Sequence, residues 1–439
     1  MFVLPPQVEF ALNKLNNVGY EAYIVGGCVR DILRGETPSD YDITTSAEPE
    51  QTKAVFSGER IVETGIKHGT VTLLKNGMPL EITTYRIDGD YTDNRRPNSV
   101  KFTETLTEDL ARRDFTVNAM AYSPKTGVTD AFGGKEDLKN GIIRCVGDAD
   151  RRFNEDALRI MRAIRFASVL DFEIEQKTKE SIFKNKNLLK NISVERIAVE
   201  LLKLLSGKNA RKGILDYFEV LEVILPEISG MKGFDQKSRW HVYDILNHTA
   251  LAVENSPEAP VLRLAALLHD CGKVDSFTVD ERGVGHFYGH PEVSYEKAKT
   301  ALARLKLDNA TTAAVLTLIK YHDMPIEPTK PAVKKVLKLL GADLFFKLLD
   351  IKRADNLAQN LELTKDVLKT IDNIENIAKE IIKNNECFCL KTLAVTGADL
   401  INIGIPTGKE LGEKLEFLLD AVINERAENK KEELLKLLK

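Results

Sequence analysis

The chain has 439 residues, 43% hydrophobic and 29% charged, with a formal net charge of −4. It is too long for one core, so two to four domains are expected. No apolar run approaches the ~20 residues that span a bilayer, and Met1-Phe2-Val3-Leu4-Pro5-Pro6 carries no secretory pattern. Five cysteines give no disulfide framework, so a cytoplasmic protein with no membrane partner is expected. The negative balance argues against a globally basic surface. Any RNA contact must use local clusters such as Arg95-Arg96, Arg112-Arg113, Arg151-Arg152 and Arg159/Arg162/Arg165.

In chain order, residues 7–18 read as an amphipathic helix leading into a buried strand, Ala22-Tyr23-Ile24-Val25. Gly26-Gly27 end the strand and leave room for a backbone to approach a phosphate. A short helix over 28–33, with Arg30-Asp31 inside it, would turn its free N–H groups toward an anion. Asp40-x-Asp42 opens a second strand, 41–45. Residues i and i+2 of a strand share a face, and two carboxylates there repel unless a cation lies between them. Together these pieces describe a site for a triphosphate and a divalent metal, Mg²⁺ in a two-metal arrangement.

Strand-like runs 69–74 and 80–85 flank Asn76-Gly77, a hairpin signal whose connection Met78-Pro79 should lengthen beyond two residues. Glu81, set among strand-forming apolar residues, suits a third metal-binding carboxylate. Residues 88–100 are polar and aperiodic, a loop carrying Asp93, Arg95 and Arg96 that can close over a nucleotide. The segment from Leu110 to Ala121 reads as helix-like. In it Arg113, Asp114 and Asn118 are spaced to serve one ribose-triphosphate.

From Arg151 the pattern is helical. Ala157, Ile160, Met161, Ile164 and Ser168 or Ala167 form one core-facing stripe over 154–168. Asp156, Arg159 and Arg162, spaced three apart, stack on another face. An Asp accepts hydrogen bonds and an Arg only donates them. Cytosine and adenine present an amino donor beside a ring-nitrogen acceptor, whereas guanine and uracil present the reverse. An Asp–Arg pair at fixed spacing therefore accepts C and A and rejects G and U without a nucleic-acid template. Ser193, Glu195 and Arg196 mark a helix start with a structural role.

Gly26-Gly27-x-x-Arg30-Asp31, Asp40-x-Asp42, the run from Arg112 to Ala121 and Glu155-Asp156-x-x-Arg159 occur in that order. In these motifs the chain resembles the bacterial class II tRNA nucleotidyltransferases, the CCA-adding enzymes of the polymerase β superfamily. The resemblance covers the whole chain and is most specific over the first ~205 residues. It implies an α+β fold: an N-terminal mixed nucleotidyltransferase sheet with helices, the head, five-stranded in the family, followed by an all-α neck, body and tail. The corresponding domains are 1–145, 146–225, 226–360 and 361–439. By resemblance Asp40 and Asp42 bind the catalytic Mg²⁺ ions with Glu81 as a third carboxylate. Gly26, Gly27, Arg30, Arg113, Asp114, Asn118 and Arg162 belong to the nucleotide site, and Asp156 and Arg159 read the base. Asp93, Arg95 and Arg96 match the loop that helps the switch from C to A addition. The implied substrates are tRNA, CTP and ATP.

Six of the seven histidines lie between His241 and His322. The order His248, His269-Asp270, His286, His290, His322-Asp323, Asp355 resembles the HD phosphohydrolase domain. The residues that match its metal ligands are His248, His269, Asp270 and Asp355. The segment 285–290 adds ligands or lines a substrate site. Imidazoles with carboxylates suit Mn²⁺, Ni²⁺, Zn²⁺ or Fe, and the resemblance implies phosphatase or 2′,3′-cyclic phosphodiesterase action on RNA 3′ ends. Residues 361–439 are helical and, by resemblance, contact the tRNA elbow. Gly408-Lys409 lacks the rest of a phosphate loop and reads as a turn. Two other readings stand beside CCA addition. One is an A-only or CC-only enzyme or a poly(A) polymerase. The other is an HD hydrolase carrying an idle N-terminal RNA- or nucleotide-binding module.

Overall fold

The computed structural model describes residues 2–63, 65–89 and 100–438. Its chain divides into two compact units, Met1–Pro226 and Glu227–Lys439. Among the described residues no helix is long and apolar enough to cross a membrane.

The first unit is built on alternation. Its strands are β1 (Ala22–Val25), β2 (Asp42–Thr45), β3 (Arg60–Val62), β4 (Thr70–Lys75), β5 (Met78–Thr84), β6 (Arg86–Asp88), β7 (Val100–Phe102), β8 (Met120–Ser123) and β9 (Gly127–Asp130). Seven of them form one mixed sheet in the order β3-β4-β5-β2-β1-β8-β9. The five-stranded expectation is thus exceeded by short strands at both edges. Within this sheet β2 and β5 pair in parallel, and their register sets Asp42 beside Glu81. Along β5, Leu80, Ile82 and Thr84 are buried while Pro79 and Glu81 are exposed. The buried side packs Ile24, Ile43, Leu73, Leu80 and Ile82 against Val8, Leu12 and Leu15 of α1 (Pro6–Asn17) and Phe56, which caps the C-terminus of α3 (Pro49–Val55). The other face carries Asp42 and Glu81. Helix α2 (Gly27–Leu33) follows β1 directly.

The β4–β5 hairpin differs from expectation. Lys75 pairs with Met78, so the turn is Asn76-Gly77 alone, with φ of 49° and 81°. Both angles are positive, which is what a two-residue turn matching strand twist requires. Pro79 is tolerated because it lies opposite Leu74, one position beyond the closing pair, where no ladder N–H is needed toward β4.

The helix expected over 110–121 is replaced by three pieces: α4 (Leu106–Ala111), a 3₁₀ turn (Thr116–Asn118) and β8. Asp114 Oδ1 accepts the Phe115 N–H at 2.8 Å. This local bond competes with a helix, and β8 gains a ladder partner in β1.

Helices α5 (Gly134–Asn140), α6 (Ala149–Glu155), α7 (Leu158–Leu170), α8 (Gln176–Asn185), α9 (Val194–Leu205), α10 (Ala210–Asp216) and α11 (Phe218–Ile224) complete this unit. The expected stripe is buried in α7 and just before it: Ala157, Ile160, Met161, Ile164 and Ser168.

The second unit is helical. It holds α12 (Ile245–Asn255), α13 (Pro260–Leu268), α14 (Lys273–Ser276), α15 (His290–Arg304), α16 (Asn309–Tyr321), α17 (Lys330–Leu357) and α18 (Leu361–Lys383). Helix α17 is broken at Gly341, whose φ of 73° is open chiefly to glycine. Three further helices, α19 (Gly397–Asn402), α20 (Lys409–Ile423) and α21 (Lys431–Lys436), share a small core of Leu400, Leu418, Leu419, Ile423 and Leu434. Gly408 precedes α20 as a turn residue at φ 122°.

The two faces of β5 should respond differently to substitution. Ile82→Ala empties a fully buried site and should cost about 2–5 kcal/mol of stability, read as a lower urea midpoint. Glu81→Gln, on the open face, should leave that midpoint unchanged or raised.

Candidate functional site

The open face of the sheet gathers the head carboxylates. Asp40 precedes β2, Asp42 begins it, and Glu81 is the register partner of Asp42 on β5. Asp42 has an exposed tip in a dense protein surround, so it loses water without being covered. Desolvation first, then the charges of Asp40 and Glu81, outweigh the opposing pull of Arg113 and raise its carboxyl to about 6. Such a group is short of positive charge, and the three-carboxylate set fits a hard divalent cation such as Mg²⁺.

Gly26 ends β1 at φ 83°, and its N–H donates to the Met120 carbonyl at 3.2 Å. A Cβ there would come within 3.0 Å of Arg113 Nη1, so the guanidinium packs against the glycine turn. Arg113 also pairs with the fully buried Asp109 at 3.6 Å. Arg112 bonds Asp109 Oδ1 at 2.8–2.9 Å, and the Thr44 hydroxyl donates to Oδ2 at 3.0 Å. Burial pushes the Asp109 carboxyl up, but Arg112 and Arg113 more than offset this and hold it below its ordinary value. Asp109 was not singled out in the sequence. It sits three and four residues before a double arginine, which was the available signal.

A second network joins α2 to α7 and α9. Arg30 Nη1 donates to Asn118 Oδ1 at 2.8 Å, and Asn118 Nδ2 donates to Asp114 Oδ1 at 3.2 Å. Asp114 Oδ2 accepts from Arg162 Nε at 2.8 Å. Arg165 pairs with Glu200 at 2.7 Å. Burial alone would raise Asp114, but Arg162 and then Arg159 bring it down to about 2. The guanidiniums of Arg30, Arg162 and Arg165 all lie over the Phe166 ring, at 5.2, 5.3 and 3.7 Å. Thus Arg30, Arg162, Asp114 and Asn118, which are distant in sequence, form one connected group.

Asp156 and Arg159 are not stacked on a continuous helix. The chain breaks at Asp156, which takes an extended conformation between α6 and α7 (φ −137°, ψ 102°). Its carboxylate accepts the Leu158 N–H at 3.1 Å, which explains the break. It also pairs with Arg196 Nη2 at 2.8 Å. Arg159 Nη1 donates to Glu155 at 2.9 Å, and its Nη2 donates to the Arg112 carbonyl at 2.8 Å. Arg196 lies in the first turn of α9, the helix start read from sequence, and in addition fixes Asp156. Asp93, Arg95 and Arg96 lie outside the described residues.

In the second unit six side chains converge. His248 Nε2 lies 3.2 Å from Asp270 Oδ2 and 3.0 Å from Asp355 Oδ1. His269 Nε2 lies 3.2 and 3.7 Å from the same two atoms. His290 and His322 approach the other oxygen of Asp270. Each ring is oriented through Nδ1, to the carbonyls of Ala358, Ala266, Phe287 and Ile319 at 2.7–3.1 Å. His269 and His322 sit at the C-terminal ends of α13 and α16, where carbonyls lack helical partners. Imidazoles fixed by backbone carbonyls with their second nitrogens turned to shared carboxylates are the arrangement of metal-binding histidines. Asp270 Oδ1 and the Nε2 atoms of His248 and His269 are buried without a hydrogen-bond partner, while Asp270 Oδ2 has the Lys273 ammonium 2.7 Å away. Burial would raise Asp270, yet His269 and Lys273 hold it well below the carboxylate range. The four residues expected from sequence therefore do meet, and their donor set fits a divalent transition metal. His286 pairs with the surface Asp280 at 3.0 Å, and the segment 285–290 lines the cavity beside the cluster. Lys273, one turn after Asp270 and 2.7 Å from it, was not anticipated.

Residues 22–144 match the family described as Poly A polymerase head domain. Residues 171–231 match "Probable RNA and SrmB- binding site of polymerase A", and 287–438 match tRNA nucleotidyltransferase domain 2. The chain is 36% identical to the CCA-adding enzyme of Lactobacillus helveticus over 97% of its own length and 95% of that protein. It is 51% identical to that of Ligilactobacillus salivarius over 208 residues, 47% of this chain and 51% of that protein. The structure of the Bacillus stearothermophilus CCA-adding enzyme in complex with CTP superposes with a TM-score of 0.76 at 31% identity, covering 99% and 97% of the two chains.

Because the Asp42 carboxyl is raised to about 6, a proton competes with a cation there below that pH. The apparent affinity of the head for Mg²⁺ should weaken about tenfold between pH 7 and pH 5. Titration calorimetry should show this in the wild type and not in Asp42→Asn.

Proposed function

The chain belongs to the CCA-adding enzymes, which are tRNA nucleotidyltransferases, and from that membership we propose that it builds CCA on tRNA 3′ ends from CTP and ATP without a nucleic-acid template. The observation that carries this reading is the parallel register of Asp42 with Glu81, with Asp40 at its edge and Arg113 over the glycine turn. In each round the terminal 3′-oxygen attacks the α-phosphorus, and the bond to pyrophosphate breaks. Asp40 and Asp42, with Glu81, would hold two Mg²⁺ ions, which would supply Lewis-acid charge to the 3′-hydroxyl and to the leaving pyrophosphate.

The remaining steps belong to the protein's own groups. The Gly26-Gly27 turn admits the triphosphate close to the backbone. Arg113 supplies a cation beside it. Arg30 and Asp114 orient Asn118, and Asp114 orients Arg162, toward the ribose and phosphates. Asp156 and Arg159 read the base edge, with Arg196 and Glu155 fixing their side chains in advance. In this organisation 1–145 is the head, 146–225 the neck, 226–360 the metal-dependent domain and 361–439 a tRNA-contacting tail. Asp93, Arg95 and Arg96 assist the change from C to A.

A transcript ending in the discriminator base tests the reading. With CTP and ATP it should gain CCA, with CTP alone it should stop after C additions, and ATP alone should extend nothing. Asp40→Ala with Asp42→Ala should lower incorporation at least ~10²-fold. Undiminished incorporation overturns the assignment.

The histidine cluster favours a second activity. His248, His269, Asp270 and Asp355 would hold Mn²⁺, Ni²⁺, Zn²⁺ or Fe, which would supply Lewis-acid charge for hydrolysis of a phosphate ester at RNA 3′ ends. His269→Ala with Asp270→Ala should abolish metal-dependent hydrolysis of a 2′,3′-cyclic phosphate while CCA addition persists. Hydrolysis surviving in that variant excludes the cluster as its source.

A further inference from the structure

Phe166 is buried on the face of α7 that carries the arginines. At ~100° per residue the core stripe of Ala157, Ile160, Met161 and Ile164 lies on one side of the helix, and Phe166 lies opposite it, beside Arg159 and Arg162. It is nonetheless only 6% exposed. Its cover is largely cationic. The guanidinium carbons of Arg165, Arg30 and Arg162 stand 3.7, 5.2 and 5.3 Å from the ring centroid. Arg30 comes from α2, so two helices meet over one ring. Phe115, fully buried and next to Asp114, meets the ring at 5.8 Å with the planes 81° apart.

Three guanidiniums within ~10 Å of one another repel. Each has a carboxylate: Asp31 for Arg30 at 2.7 Å, Asp114 for Arg162 at 2.6 Å and Glu200 for Arg165 at 2.7 Å. These pairs balance the charge, but they do not require a ring. An aliphatic side chain of similar volume would fill the space and leave the cations desolvated against an apolar surface. A phenyl face carries partial negative charge and attracts each of them. The arginines, rather than packing, account for an aromatic residue on this face.

We propose that Phe166 is a positioning residue for nucleotide binding, whose ring holds Arg30 and Arg162 converged on the ribose and triphosphate before the nucleotide arrives, with Arg165 stacked in support. The inference rests on the nucleotide-site reading of Arg30 and Arg162 and adds the group that gathers them. Without the ring the arms spread toward their separate carboxylates. The incoming nucleotide must then regather them, which weakens binding. Ribose and phosphates are common to CTP and ATP, so both lose affinity alike, whereas a fault in Asp156 or Arg159 would change their ratio. The metal-binding carboxylates belong to a different cluster, so turnover at saturation is preserved.

Steady-state kinetics of the full-length chain test this, with a transcript ending in the discriminator base for CTP and one ending in CC for ATP. Phe166→Leu should raise KM for CTP and for ATP by the same factor, about tenfold, with kcat within about twofold and KM for the transcript unchanged. Phe166→Tyr, which keeps the ring face, should restore the wild-type KM. A ring-trifluorinated phenylalanine in place of Phe166 keeps the shape while withdrawing charge from the ring face. It should raise both KM values as leucine does, and the dissociation constant of CTP, measured by calorimetry without transcript, should rise with them. Wild-type KM values in the trifluorinated protein overturn the proposal, since the ring is then only a filler, and this protein decides the matter if Phe166→Leu does not fold. A fall in kcat at unchanged KM, or a rise in KM for one nucleotide alone, overturns it too. A wild type that neither binds CTP nor extends the transcript overturns the nucleotide-site reading, and the role of Phe166 with it.

Discussion

The parallel pairing of β2 with β5 is the constraint on which the first unit depends. It sets Asp42 and Glu81 side by side on neighbouring strands, while the alternate residues Ile43 and Ile82 bury against α1. A shift of one position would turn the carboxylates into the core and the isoleucines into the cleft. The hydrophobic side of the sheet therefore holds like charges together on the other. Desolvation first, and then the charges of Asp40 and Glu81, raise the Asp42 carboxyl, and the neighbouring Arg113 only partly offsets them.

Around this pair the protein spends its buried charges on orientation rather than on stability. Asp109 and Asp114 are each satisfied by arginines and by hydroxyl, amide or backbone donors. Buried ion pairs of this kind contribute little net stability, because desolvation offsets most of the attraction. They do restrict rotamers. Arg30, Asn118, Asp114 and Arg162 come from α2, the 3₁₀ turn, the loop before it and α7, and a connected set of hydrogen bonds locks them relative to one another.

The second unit uses a different device for a related end. Helix ends leave carbonyls without partners, and His269 and His322 sit where such carbonyls take their Nδ1 hydrogens. Their Nε2 atoms are thereby aimed at Asp270. The imidazoles are oriented before any ligand arrives, which reduces the entropy lost on binding. Hard oxygen donors gather in the head and mixed nitrogen and oxygen donors in the second unit. The two constellations therefore suit different cations.

Much of this was legible in the letters. Local signals, meaning an apolar run ended by glycines, carboxylates two apart, a histidine-aspartate pair closing an apolar helix, located β1, α2, β2 and the end of α13. They also picked out the acidic and histidine side chains that the fold then brings together, such as Asp42 with Glu81 and His248 with Asp270. Tertiary structure decided what each group meets. Nothing local shows that Asp109 takes Arg112, Arg113 and Thr44, that Arg196 reaches back forty residues to Asp156, or that Asp270 divides its two oxygens between two pairs of histidines. The helix read through 110–121 failed because β8 found a ladder partner in β1. The continuous face for Asp156 and Arg159 failed because the Asp156 side chain bonded its own downstream backbone. Periodicity reports what a segment favours alone, whereas partners far along the chain determine where its hydrogen bonds and charges are satisfied.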